Sequence, residues 1–195
     1  GKSAMQYTLI AVLAHSMLES GIWMVKSHPY QTMYFNSLAG GTKQAFGDYE
    51  LDYWGISTKE AVEWIDENTP NKTIDHPVKI KMFYGDRIKV TYYTNFIDGL
   101  EYFVGNNETG WDYEIVYVAA AKFDHSLISQ WPPDRTVHEI KANGTPLCAI
   151  VEAENTDERI ARLKKEATKE EHYINLSLLL YQTGDYIQCI QESKR

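Results

Sequence analysis

Residues 4–25 form an apolar run broken only by Gln6, His15, Glu19 and a few small polar residues. About 20 such residues are what a helix needs to cross the hydrocarbon of a bilayer. Two readings stay open. In the first the run spans a membrane; in the second it is an amphipathic helix packed on a soluble domain. His15 and Glu19 are four residues apart and share one helix face, so they could pair, and polar side chains in a span usually face protein rather than lipid. The run lacks the charged leader and the small-residue cleavage site of a signal peptide, and the Gly1-Lys2-Ser3 start reads as a chain cut from something longer. Pro29 ends the helix, because the residue before a proline is driven out of helical geometry.

The segment that follows, residues 28–56, holds many aromatic and turn-forming residues: HPYQTMYFNSLAGGTKQAFGDYELDYWGI. Ordering that many large rings is favourable only if they bury area against something, so the segment reads as a docking element rather than a linker. Gly40, Gly41 and Gly47 allow the turns that would fold Tyr30, Tyr34, Phe35, Tyr53 and Trp54 onto a neighbouring surface, with His28 and Asn36 beside them. Asp48, Glu50 and Asp52 alternate. On an extended segment their carboxylates would point one way, where they could bind a hard cation or act as acid and base, although the glycine and terminal glutamate of a calcium loop are missing. The competing reading of this trio is a solvated rim.

Downstream the expected fold class is α/β: a small, mainly parallel sheet with flanking helices, finished by an antiparallel hairpin. Ser57 and Glu60 have capping-box spacing, and Ala61, Trp64 and Ile65 share a face of the helix they begin, which stops near Pro70. Strands are expected over 78–84, 100–104 and 113–119, the last apolar enough to be covered on both faces. Residues 87–95 are ambiguous, since Val90, Tyr92 and Tyr93 favour strand. A short helix is expected within 123–130. Residues 136–140 and 147–151 flank Asn143-Gly144, the strongest short hairpin signal in the chain. The division that follows is 1–27 helix at or in the membrane, 28–56 docking segment, 57–154 α/β domain, and 155–195 a solvated connector helix (156–169) with a helical hairpin.

Composition narrows the function. At 195 residues with 44% hydrophobic side chains, the chain can bury a sizeable core. A net charge of −8 with dispersed lysines and arginines removes the footprint expected of a nucleic-acid binder. No phosphate loop, dinucleotide fingerprint, nucleophile elbow or zinc-protease motif is present, so no cofactor is expected. His15, His28, His76, His125, His138 and His172 are scattered singly. Cys148 and Cys189 read as small buried hydrophobes. Asn71, Asn107, Asn143 and Asn175 each head an Asn-x-Ser/Thr triplet, which carries no meaning in a bacterial context.

His28-Pro29-Tyr30-Gln31, Tyr34-Phe35-Asn36, Gly40-Gly41 and Tyr49-Glu50-Leu51-Asp52-Tyr53-Trp54-Gly55 resemble the segment after the last membrane helix in bacterial polyprenyl-phosphate-sugar glycosyltransferases of the protein mannosyltransferase type. The resemblance covers roughly residues 13–153. It implies that residues 4–25 are the final membrane helix, with Trp23 and Lys26 as interface anchors, and that residues 87–95 hold a short helix against their strand propensity. It further implies a domain on the extracytoplasmic side of a bacterial membrane, whose partner is the membrane part of its parent chain, and a polyprenyl-phosphate sugar met only through that parent. The family's catalytic carboxylates lie in an early loop with no counterpart here, so this piece is expected to be inactive alone. His172, Asn175-Leu176, Gly184-Asp185-Tyr186 and Cys189 resemble part of one tetratricopeptide repeat, with Ser177 in place of the usual glycine. A single repeat cannot bury its apolar face, so further repeats are expected to follow and could hold a protein partner. Three functions therefore remain: an accessory domain of a glycosyltransferase, a repeat-based protein-interaction module, and a free-standing small α/β enzyme with its site near Gly85-Asp86 and residues 119–122.

Overall fold

The structure, a computed structural model, describes residues 2–83, 87–104, 110–122, 125–155 and 158–161. Two compact units divide the chain, Gly1–Ala153 and Glu154–Arg195. In the second, residues 158–161 are helical, and the Asn155 side chain caps them by accepting the Glu158 amide at 2.9 Å. The rest of the expected connector helix, the repeat-like stretch 172–195, and Tyr84, Gly85, Asp86 and Asn107 lie outside the described residues.

In the first unit a five-stranded sheet has the order β2-β1-β3-β5-β4, with β1 Val78–Phe83, β2 Leu100–Tyr102, β3 Tyr113–Tyr117, β4 Thr136–Ala142 and β5 Thr145–Glu152. β1 pairs in parallel with β2 and β3, while β5 runs antiparallel to β3 and β4. The α/β class holds, but the sheet is mixed rather than mainly parallel. The reason lies in β5. Leu147, Cys148, Ala149, Ile150 and Val151 are consecutive and all buried, which a strand achieves only inside a sheet with both faces covered. The hairpin therefore inserts β5 beside β3 and leaves β4 at the edge. Asn143 and Gly144 both take positive φ, 48° and 78°, as a two-residue hairpin turn of the primed type demands.

β1 is amphipathic. Ile80 is fully buried, while Lys81 on the opposite face bridges Glu114 of β3 at 3.0 Å, its register partner, and lies over the Trp111 ring. Two helices cover the apolar face. In α3, Ser57–Asn68, Ala61, Val62 and Ile65 are buried, and Trp64 stacks on His138 with 4.9 Å between rings. The ambiguous stretch is the helix α4, Arg87–Thr94. Because β1 and β2 are parallel neighbours, the chain between them must cross over the sheet, and that requirement overrides the strand propensity of Val90, Tyr92 and Tyr93. β3 ends at Tyr117 and passes into a 3₁₀ turn, Val118–Lys122, before the short α5, His125–Ser129.

Ile150 makes a direct stability test. Ile150→Ala should cost about 2–5 kcal/mol because a fully buried side chain leaves a cavity, whereas Val104→Ala at an exposed site should change stability by less than about 0.5 kcal/mol. Urea unfolding of the full chain in mild detergent measures both.

Candidate functional site

The N-terminal helix α1, Lys2–Lys26, has no buried residue. Among the described residues it is the one helix long and apolar enough, by length and composition, to cross a membrane. Met5, Leu9, Ile10, Leu13, Met17 and Leu18 all face outward, so the body of the unit does not cover this face. Of the two sequence readings, packing of the helix along its length on the domain is the one the structure lacks.

Only the last two turns of α1 meet the body. The Glu19 carboxylate accepts the Ser37 amide at 2.7 Å and the Ser37 hydroxyl at 3.1 Å, so it is committed to the docking segment rather than to His15. One turn on, Trp23 meets the Tyr34 ring at 5.9 Å. Below the helix end, buried Ser27 accepts a hydrogen bond from the Asn143 side chain at 2.5 Å. The hairpin tip of the sheet thereby reaches the foot of α1. Between helix and segment lies a cleft of ≈ 450 Å³, lined by Ile22, Trp23, Lys26, Tyr34, Phe35 and Asn143 among others.

The segment is shaped by a 3₁₀ turn Ser37–Ala39 and the short α2, Gly41–Ala45. Gly40 between them has φ +85°, and a Cβ there would stand 2.5 Å from Gln44 Cβ, so only glycine fits. Buried Thr42 ties α2 back by donating to the Met33 carbonyl at 3.3 Å.

The sequence-designated docking residues separate into three groups. Tyr30 is buried, and its hydroxyl donates to the Glu60 carboxylate; Tyr34 and Phe35 are half-buried, Phe35 against Tyr49 with 5.2 Å between rings. His28 and Asn36 are exposed, His28 with its Nδ1 2.6 Å from Gln31 Nε2. Tyr53 and Trp54 form an exposed edge-to-face pair at 5.2 Å, and Lys89 donates to the Trp54 carbonyl. On α4, which carries Lys89, and the following turn, Ile88, Tyr92 and Phe96 are exposed at i, i+4 and i+8. Sequence reasoning passed over that stripe because the helix itself was ambiguous; its spacing is the signal that could have found it.

The acidic trio does not assemble. Asp48 and Glu50 are exposed, but Asp52 takes φ +55° and turns inward to become buried. Its carboxylate accepts the amides of Ile56 at 2.6 Å and Ser57 at 3.0 Å, and the Ser57 hydroxyl. It caps α3 from outside, so the expected Ser57–Glu60 capping box is not formed: Ser57 is a donor to Asp52, and Glu60 serves Tyr30. Among the described residues no group of three or more His, Cys, Asp or Glu could hold a metal ion.

Thr58 Oγ1 and the buried Tyr117 hydroxyl are 2.5 Å apart behind this cap. Burial raises the Asp52 carboxyl, against the opposing hydrogen bonds from Ser57 and Ile56 and the Lys89 charge. Burial also raises the phenols of Tyr30, where Glu60 adds to the effect, and of Tyr117, and pushes the Cys148 thiol up to about 12. A thiol held neutral at full burial is no nucleophile. The exposed aromatic groups lie outside this cluster, Tyr53 and Trp54 beside Lys89, and Tyr92 and Phe96 on and after α4.

No protein family, no characterised protein and no solved structure matches this chain.

The raised tyrosine and cysteine groups dictate an alkaline response. Each binds its proton more tightly folded than unfolded, so the stability it contributes is complete below its unfolded pKa, about 8.5 for cysteine and 10 for tyrosine, and is lost as pH rises toward the folded value. Denaturant midpoints should fall from about pH 9 upward, and Cys148→Ala should remove the earliest part of that fall. A flat profile between pH 8 and 11 would contradict the burial of these groups.

Proposed function

We propose that the chain is a non-catalytic accessory domain of a membrane glycosyltransferase. In this reading α1 crosses the bilayer and holds the α/β body at its extracytoplasmic face, where the docking segment meets the membrane part of the parent. The observation that carries it is the wholly uncovered apolar surface of α1, continuous for many turns and joined to a folded body through Glu19, Trp23 and Ser27. An apolar surface that long is expected to be covered by lipid or another chain. Trp23, Tyr34 and Lys26 stand together at the helix end, the amphipathic set found at membrane–water boundaries. Support for the glycosyltransferase connection comes from the sequence resemblance over residues 28–55. The exposed Tyr53–Trp54 pair with the Ile88, Tyr92 and Phe96 stripe is the face offered to the parent.

The experiment has two arms. The full chain should stay with membranes through alkaline carbonate extraction, and Leu9→Arg with Leu13→Arg should release it, since each arginine at a span centre costs about 2.5–3.5 kcal/mol on insertion scales. In the intact parent enzyme, Tyr34→Ala and Trp54→Ala should lower sugar transfer from a polyprenyl-phosphate donor several-fold at unchanged protein level. Carbonate extraction of the unmodified chain would sink the anchor, and unchanged transfer with unchanged folding would sink the docking role.

A further inference from the structure

We infer that the Ser37–Ala39 turn is a second membrane contact, a lipid-inserting tip that carries Leu38 into the boundary between head groups and acyl chains beside α1, at a depth set by Glu19. The inference rests on the reading of α1 as bilayer-spanning.

Leu38 is 93% exposed, more than any other large apolar side chain among the described residues. It therefore contributes nothing to the core, yet the turn that presents it is firmly built. The Ser37 carbonyl accepts the Gly40 amide at 3.1 Å, the Asn36 carbonyl accepts the Gly41 amide at 3.0 Å, and Ser37 donates both its amide and its hydroxyl to Glu19. A single exposed leucine on a surface is ordinary. One held out by a closed turn and tied at two points to an uncovered apolar helix lies where lipid surrounding that helix would reach it.

The depth follows from helix geometry. On its free side α1 stays apolar and exposed through Met24 and Val25, the last 81% exposed, while Lys26 lies on the cleft side with Glu19 and Trp23. Lipid covering that side reaches at least to Val25. Ser37 is bonded to Glu19, six residues earlier, which at 1.5 Å per residue stands about 9 Å further toward the bilayer interior. Leu38 is then held within the depth of roughly 5–10 Å at which interfacial elements bury their apolar faces. The same bonds account for a carboxylate at that level: two donors satisfy Glu19, as a charge leaving water requires.

Site-directed fluorescence on the full chain in phosphatidylcholine–phosphatidylglycerol vesicles tests this. An environment-sensitive dye is placed at Leu38→Cys, at Leu18→Cys as the lipid reference on α1, and at Ile74→Cys as the water reference on an exposed loop. All variants carry Cys189→Ser, and that chain without added cysteine serves as the blank, the remaining Cys148 being fully buried. Spin-labelled lipids should quench Leu38 and Leu18, both roughly twofold or more above Ile74. Quenching at Leu18 with Leu38 at the Ile74 level overturns the inference and leaves the anchor standing; no quenching at either overturns both. In Glu19→Ala, quenching at Leu38 should fall toward the Ile74 level while Leu18 keeps its own, and an unchanged Leu38 signal would remove Glu19 from the role of depth stop.

Discussion

The course of the chain between its exposed helix and its sheet depends on one buried carboxylate. Asp52 sits at the turn where the aromatic segment ends and α3 begins, in a left-handed conformation that aspartate tolerates better than most residues. Three donors converge on it from Ile56 and Ser57, satisfying helix amides that have no partner within α3. Hydrogen bonds to a charged acceptor are worth about 1.5–3 kcal/mol each, but removing the carboxylate from water opposes them, and the upward direction of its pKa says that desolvation has the larger effect. Asp52 therefore gives direction more than net stability. It sets where α3 starts, and the position of α3 decides that Glu60 meets Tyr30 and Thr58 meets Tyr117.

That alignment extends to the joint. Tyr30 lies three residues after Ser27, and Ser27 is where the hairpin tip of the sheet, through Asn143, touches the end of α1. The exposed helix is thus attached at its foot to two separate parts of the body: the segment through Glu19 and Trp23, and the sheet through Ser27. Two attachments at different heights along one face of the helix restrict its tilt in a way that one cannot. The Asn143-Gly144 turn consequently has two roles. Its positive φ angles reverse the chain between β4 and β5, and the side chain left at its corner reaches residue 27, far away in sequence.

Much of this was legible in the sequence wherever a local rule agreed with the tertiary arrangement. The Asn143-Gly144 hairpin, the α3 apolar face and the alternation of β1 are local patterns, and all three appear. Local pattern left the answer open, or misled, where a wider requirement prevailed. Residues 87–94 carry strand formers but must bridge two parallel strands, so they are helical. The hairpin was foreseen; that its second strand inserts beside β3 and makes the sheet mixed follows from the unbroken apolar run 147–151, which was read only as one arm of the hairpin. The acidic trio failed for a similar reason. Alternation implied a common face, but the segment turns at Gly47-Asp48 and again over 51–54, and the unmet amides of α3 draw the Asp52 carboxylate inward. The docking residues were found as a class and not as a surface, because composition marks aromatic density without saying that Tyr30 faces in while Tyr53 and Trp54 face out.

Glu19 shows how the same residue changes meaning once its partner is known. In the sequence it is a blemish in an apolar run, four residues from a histidine that could neutralise it. In the fold its carboxylate is used by Ser37, and the apolar surface of α1 runs past it on the opposite side to Val25. A charge that would weaken a simple spanning helix thus becomes the point from which a folded body is held close to it. Polar residues in apolar helices are tolerated where protein satisfies them, and here the satisfying group belongs to a tight turn that presents leucine outward. Glu19 joins the helix to the turn, and a mean hydropathy over the helix alone cannot contain that fact.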